Sequence, residues 1–225
     1  LKKISMFFVQ DKQSLILLQS ININNIKLNG DTRYDTVKIN SNTDFSDKKI
    51  ESFIKGYKVI ILGSLWIEDL EIIKETTISN KYKIIIVPHE MNNISNYLKL
   101  KDSILFSKYE LDTLKDNRIL IIDKIGILSR IYRYADIAYI GGGFGKGIHN
   151  ILEAAIYNIP ILHGPNYDKS IEAMDMMSIG LSRCVNNKFD LLGAIKHFET
   201  LDISEKSKEY MKSRTGSTKK IIEFI

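Results

Sequence analysis

Cysteine, proline and tryptophan are all scarce in this 225-residue chain, which has one, three and one of them respectively. The single cysteine, Cys184, excludes an internal disulfide and fits a reducing compartment. Following Leu181, it reads as a small hydrophobe rather than a nucleophile. No His-Glu-x-x-His, paired cysteines or Asp-x-Asp occurs, so no metal site is expected. No apolar run approaches the roughly 20 residues that a bilayer-spanning helix needs. The opening Leu1-Lys-Lys-Ile-Ser-Met-Phe-Phe-Val-Gln10 turns polar too soon for a secretion signal. Net charge is +5, from 32 basic and 27 acidic residues, but the lysines are scattered and no basic stripe is interleaved with aromatics. Nucleic acid is therefore not expected as a partner; a weakly basic face suits an anionic membrane surface better.

What the chain does have is apolar content, 44% of its residues, arranged in short β-branched runs that alternate with amphipathic segments. Strands are predicted at 6–10, 26–29, 58–62, 83–87, 118–122, 137–140 and 160–162. Helices are predicted at 12–19, 68–78, 125–134, 150–157 and 169–179, and then in succession at 190–198, 204–212 and 217–224. Strands separated by helices of this length imply βαβ units. The apolar runs are continuous rather than alternating, as in a parallel sheet buried on both faces. The fold class is therefore α/β, with a Rossmann-like parallel sheet and helices on both faces. A seam falls around residues 35–49, where the polar, aperiodic stretch 37–47 reads as a linker. Before it lies one strand–helix–strand, too little to close its own core. The missing initiator Met and the early apolar run suggest a chain that begins mid-protein. The first 35 residues are expected to pack loosely or to expose apolar surface at 6–9 and 15–18.

The densest signal is Tyr139-Ile-Gly-Gly-Gly-Phe-Gly-Lys-Gly-Ile-His-Asn-Ile-Leu-Glu153, followed by Ile159-Pro-Ile-Leu-His-Gly-Pro165. Five glycines let backbone approach a phosphate, and a helix start offers N–H groups to an anion. A P-loop is excluded, because Ile140 stands five residues before Gly145 and Gly147 follows Lys146. The dinucleotide fingerprint fails as well, since Gly141-x-Gly143 is followed by Lys146. Ligands of open parallel sheets bind beyond the carboxyl ends of the strands. Five predicted strands end there in Gly63-Ser64, Pro88-His89-Glu90, Asp123 with Ile125-Gly126-Ile127, Gly141 to Gly147, and His163-Gly164-Pro165. Asn150-x-x-Glu153 has the spacing of a variant capping box, Ser64 could cap the next helix, and His89 and His149 fit either a phosphate or hydroxyl role or none.

Together these residues resemble the C-terminal half of 3-deoxy-D-manno-octulosonic acid (Kdo) transferases. The match runs through Gly141-Gly-Gly-Phe-Gly-Lys-Gly-Ile-His-Asn-x-Leu-Glu-Ala-Ala, Pro160 and Gly164-Pro165. It takes in Gly63-Ser64, Pro88-His89-Glu90, Ile122-Asp-Lys-Ile-Gly-Ile-Leu-Ser129 and Tyr132-x-Tyr-Ala-Asp-x-Ala-Tyr-Ile140. Upstream, Phe8-Val-Gln-Asp11 and Gly30-Asp-Thr-Arg-Tyr-Asp35 look like the close of the family's N-terminal lobe; Gly216-Ser-Thr-Lys-Lys looks like its terminal helix. The chain departs from the family at Leu65, where Ser or Thr is usual, and at His89, which follows Pro88 without an intervening Arg. It departs again at Ile127, where others have Glu and a nucleotide contact could use only backbone, and at His163, where an apolar residue is common.

The resemblance implies a two-lobed GT-B glycosyltransferase that moves Kdo from CMP-Kdo to lipid A precursor in lipopolysaccharide core synthesis. Its place would be the cytoplasmic face of the inner membrane, reached by peripheral contact. Residues 1–35 would be a remnant of the acceptor lobe and 36–225 the nucleotide-sugar-binding lobe. The donor site would comprise Gly63, Ser64, Pro88, His89, Ile125, Gly126, Ile127, Gly142, Gly143, Gly147, His149, Asn150, Ile151, Leu152 and Glu153. No cofactor or metal is implied, and the general base would lie in the other lobe. Another GT-B enzyme using a UDP-sugar, and a non-catalytic nucleotide-binding remnant, are the alternatives.

Overall fold

A computed structural model of the chain describes residues 3–74, 78–111 and 117–225. Strands β1 (Phe7–Val9) and β2 (Ile26–Leu28) pair in parallel around the helix Lys12–Ser20. A separate, seven-stranded parallel sheet holds β3 (Lys58–Leu65), β4 (Tyr82–Pro88), β5 (Ser103–Leu105), β6 (Ile119–Ile121), β7 (Ile137–Ile140), β8 (Ile161–His163) and β9 (Ser182–Cys184). Their spatial order is β5-β6-β4-β3-β7-β8-β9.

The central strands are buried along nearly their whole length because both sheet faces are covered by helices. Ile61, Ile85, Ile86, Leu120 and Leu162 have no exposed surface at all. Each such side chain contributes about 1.5–3 kcal/mol relative to an exposed one. The chain enters the sheet at its centre, builds outward to β5, then crosses back to lay β7 on the other flank of β3. The loops after β3 and β7 thus leave neighbouring strand ends toward opposite halves of the sheet, which opens a crevice between them.

Most predicted elements are present with shifted ends. The helix predicted to run to residue 78 is Ile67–Lys74, and positions 75–77 lie outside the described residues. The one predicted at 125–134 is Leu128–Ile131 followed by a 3-10 turn, Tyr132–Tyr134, and the one at 150–157 shrinks to Leu152–Ala155. Two edge strands, β5 and β9, were not predicted.

The linker reading of 37–47 is corrected. Helix Arg33–Ser41 takes in residues 37–41 and helix Lys48–Ile54 starts directly after residue 47, which leaves only 42–47 as a connection. Tyr34 and Val37, one turn apart, are buried, and the Asp47 carboxylate caps the second helix by accepting from the amides of Lys49 and Ile50. Between the helices, the Arg133 guanidinium donates to the carbonyls of Ser41, Thr43 and Phe45.

The opening segment is tied to the closing one. Asn29 Nδ2 donates to the Ser217 carbonyl at 3.0 Å while Ser217 Oγ donates back to the Asn29 carbonyl at 2.9 Å. Asp35 accepts from the amides of Gly216 and Thr218 at 2.6 and 2.7 Å. The expected apolar exposure holds for the first helix, none of whose residues is buried and where Ile16 and Leu17 are exposed. In β1, by contrast, Val9 is buried and Phe8 packs edge-on against Phe224.

Candidate functional site

At the end of β3 the register with β4 shifts between Leu62 and Leu65, and Ser64 takes a left-handed φ of 50°. Such bulges re-aim backbone beside functional sites. Here the bulge brings the Ser64 carbonyl against Gly141, where a Cβ would collide with it. On the next flank, a Cβ on Gly143 would stand 2.6 Å from the backbone of Gly164. Two of the five glycines are therefore needed for backbone-on-backbone contact among the loops after β3, β7 and β8.

The loop spends many of its own amides internally. Gly145 and Gly147 donate to the Gly142 carbonyl, His149 to Gly141, and Ile148 to Asn166. The Gly142 amide donates to Asp69 at 2.7 Å. Asp69, fully buried, also accepts from the Tyr139 hydroxyl at 2.9 Å, the Trp66 amide at 3.1 Å and the Phe144 amide at 3.4 Å. One carboxylate thus joins β7, the glycine loop and the start of the helix after β3.

Above this node three aromatic rings meet. Trp66 stacks on His89 with centroids 4.6 Å apart and planes 12° apart, and His89 lies 4.4 Å from His149. The Trp66 indole N–H donates to His149 Nε2 at 2.6 Å. Burial, seconded by the neighbouring His89, pulls the His149 pKa below 6.5 and favours its neutral form.

Helix Leu152–Ala155 does not open directly from the glycines, as the sequence suggests, but after an extended passage through residues 147–150. Asn150 Oδ1 accepts from the Leu152 amide at 3.2 Å, and its Nδ2 donates to Glu153 Oε1 at 3.3 Å. The pair therefore behaves as a cap in this structure while still facing a cavity. Burial pushes the Glu153 carboxyl above its ordinary range, only partly offset by Asn150.

Two depressions share Asn150. One, of about 290 Å³, is lined by Arg33, Lys146, Gly147, His149, Asn150 and Lys169 among others. The other, of about 130 Å³, is lined by Arg33, Val37, Ser129, Asn150 and Glu153 among others. Ile151 and Leu152 face the core and can offer only backbone to a ligand. Gly63, Ser64, Pro88 and His89 sit where β3 and β4 end, and the His89 amide donates to the Leu65 carbonyl at 2.9 Å. Ile125, Gly126 and Ile127 form the turn after β6; Ile125 is 82% exposed, Gly126 has a φ of 83°, and the three line neither depression. Sequence reasoning passed over Trp66, Asp69, Lys146 and Lys169, which stand at or beside the site. The chain's sole tryptophan, three residues after Gly63, was the one available signal for the first. Arg33 was quoted only as part of a motif, yet it lines both depressions and a larger cavity of about 420 Å³ beside the opening strands, paired there with Asp31 and Glu172. Cys184, half-buried on an edge strand, has its thiol pushed up by burial, which disfavours a nucleophilic role.

No protein-family model matches the chain. It is 26% identical, in an alignment of 239 positions that covers 99% of its length, to a 3-deoxy-D-manno-octulosonic acid transferase of Rickettsia prowazekii. It is 28% identical over 183 residues, 75% of its length, to the transferase of that name from Chlamydia trachomatis. The chain is thus similar in sequence to Kdo transferases. It spans 51% and 42% of these two proteins. Among solved structures, the C-terminal CMP-Kdo binding domain of WaaA from Acinetobacter baumannii superposes with a TM-score of 0.53, covering 85% of this chain and 99% of that domain at 13% identity. The fold is thus that of the C-terminal half of a GT-B protein, and residues 141–153 follow directly on its strand β7.

Proposed function

We propose that the chain is the donor-binding lobe of a Kdo transferase, acting in lipopolysaccharide synthesis by moving Kdo from CMP-Kdo to lipid A precursor. One observation carries this reading. The motif residues His149 and Asn150 line one depression with the cations Arg33, Lys146 and Lys169, and Asn150, Glu153 and Arg33 line the depression beside it. CMP leaves as a phosphate monoester, so stabilising the departing charge is the main catalytic task of this half. Of the two, the depression with Arg33, Lys146 and Lys169 is lined by three cations against Asp168 and Glu172, a net positive charge that suits that phosphate. Asn150 and His149 would fix phosphate and sugar oxygens, and Glu153 would accept from ribose or sugar hydroxyls. Donor binding on this reading needs no metal. The acceptor, the general base and peripheral contact with the inner membrane are assigned to the other lobe, so this 225-residue chain alone should bind donor without turnover.

Calorimetry with CMP and UDP tests the assignment. CMP should bind more tightly than UDP, and Glu153→Ala should weaken CMP by about 1.5–3 kcal/mol, the range for hydrogen bonds to a charged group. Unchanged CMP affinity in a folded Glu153→Ala variant would overturn the assignment, and a preference for UDP would redirect it to another nucleotide sugar.

A further inference from the structure

We propose that Trp66 is a positioning residue that holds His149 as the neutral Nδ1–H tautomer, so that His149 meets a bound nucleotide as a hydrogen-bond donor through Nδ1. The ligand part of this proposal rests on the donor-binding reading above. An indole N–H can only donate. The His149 Nε2 that receives it at 2.6 Å therefore carries a lone pair, and the proton of the neutral ring must be on Nδ1. Free histidine side chains choose their tautomer by small margins, and a partner on one nitrogen decides what the other offers.

Trp66 is built to impose that choice. Its own amide is held by the buried Asp69, which also fixes the glycine loop that carries His149. One face of its ring stacks on His89, and Lys146 Nζ lies 5.6 Å from the ring centre. His149 is enclosed from the loop side as well: its Cδ2 would be 3.3 Å from a Cβ on Gly142. The charged or titratable groups around the pair are His89, Lys146, Asp69 and Glu68, which approaches Gly145. A cationic imidazolium would have to give up the Trp66 bond and would stand beside His89. The arrangement therefore selects a neutral donor, and its geometry depends on the indole nitrogen rather than on ring size.

The test uses the full chain and NMR of its imidazole nitrogens near neutral pH. The parent should show His149 protonated at Nδ1, and an Nε2–H signature would overturn the proposal without any variant. Trp66→Phe keeps an aromatic face for His89 and loses only the N–H. It should release His149 to a mixture rich in the Nε2–H form and weaken CMP binding about 2- to 10-fold, the range for one lost hydrogen bond. A Trp66→Phe protein with the parental tautomer, or with a changed tautomer but parental CMP affinity, would also overturn it. If the parent carries Nδ1–H yet binds no CMP, the donor-binding reading fails while the hold of Trp66 on His149 stands.

Discussion

Removing the Asp69 carboxylate should damage the site from below. In Asp69→Ala, the Tyr139 hydroxyl and the Gly142 amide lose their acceptor in a place closed to water, since both residues are buried. The Trp66 amide lies on a half-buried loop and can turn to solvent. A buried donor left unpaired costs about 1–3 kcal/mol, so two of them give about 2–6 kcal/mol. Asp69→Asn should be milder. Its remaining oxygen can keep the Trp66 and Gly142 amides, and its NH2 can donate to the Tyr139 oxygen, because a hydroxyl accepts as well as donates. The Tyr139 proton and the distant Phe144 amide lose their acceptor and the charge assistance goes, for about 1–3 kcal/mol, while the Gly142 amide stays paired. Urea denaturation of the three proteins measures both differences. Asp69→Ala within about 1 kcal/mol of the parent would mean that water reaches these donors, and the reasoning would fail.

Gly143→Ala should cost about 1–3 kcal/mol, because the new methyl meets Gly164 backbone at 2.6 Å. Gly145→Ala, whose nearest neighbours are 3.7 Å away, should stay within about 0.5 kcal/mol; equal losses in denaturant melts would refute the packing argument. Burial pulls the buried His163 below 6.5, so the unfolded chain takes up that proton first as pH falls. Its contribution is complete above 6.5 and is lost as pH drops through the folded value. The parent should accordingly lose stability relative to His163→Gln on acidification, and a difference in melting temperature that does not change with pH would count against it. CMP affinity should survive EDTA; loss on chelation with recovery in magnesium or manganese would show a metal at work.

The sheet was legible because its central strands are continuous runs such as Lys83-Ile-Ile-Ile-Val87, which few other structures tolerate. The edge strands were not. Ser103–Leu105 and Ser182–Cys184 are three residues long, pair on one side only and carry no periodic signal. Helix Arg33–Ser41 was illegible for a different reason. Its Asn, Ser and Thr residues are poor helix formers, its Thr32 cap makes no side-chain bond, and tertiary burial of Tyr34 and Val37 together with the Asp35 bonds holds it. At the site, the glycines, His149, Asn150 and Glu153 stood out by spacing. Asp69 did not, because a lone acid in the first turn of a helix is ordinary on a surface and is revealed only by the four donors that converge on it.

The ties between Asn29 or Asp35 and residues 216–218 join positions 181 to 188 apart in sequence. During synthesis, therefore, Asn29 and Asp35 must wait for about 180 further residues before they find these partners. The last strand of the central sheet ends at Cys184, and Leu191, Ala194, Ile195 and Phe198 of the next helix add to its core, all before residue 200. Loop closure over such a distance grows only logarithmically in cost, yet contacts this remote slow assembly. A growing chain would thus carry Phe8 without the Phe224 ring that packs against it for longer still. That leaves a long interval in which chaperones or proteases can reach it before the closing helix docks.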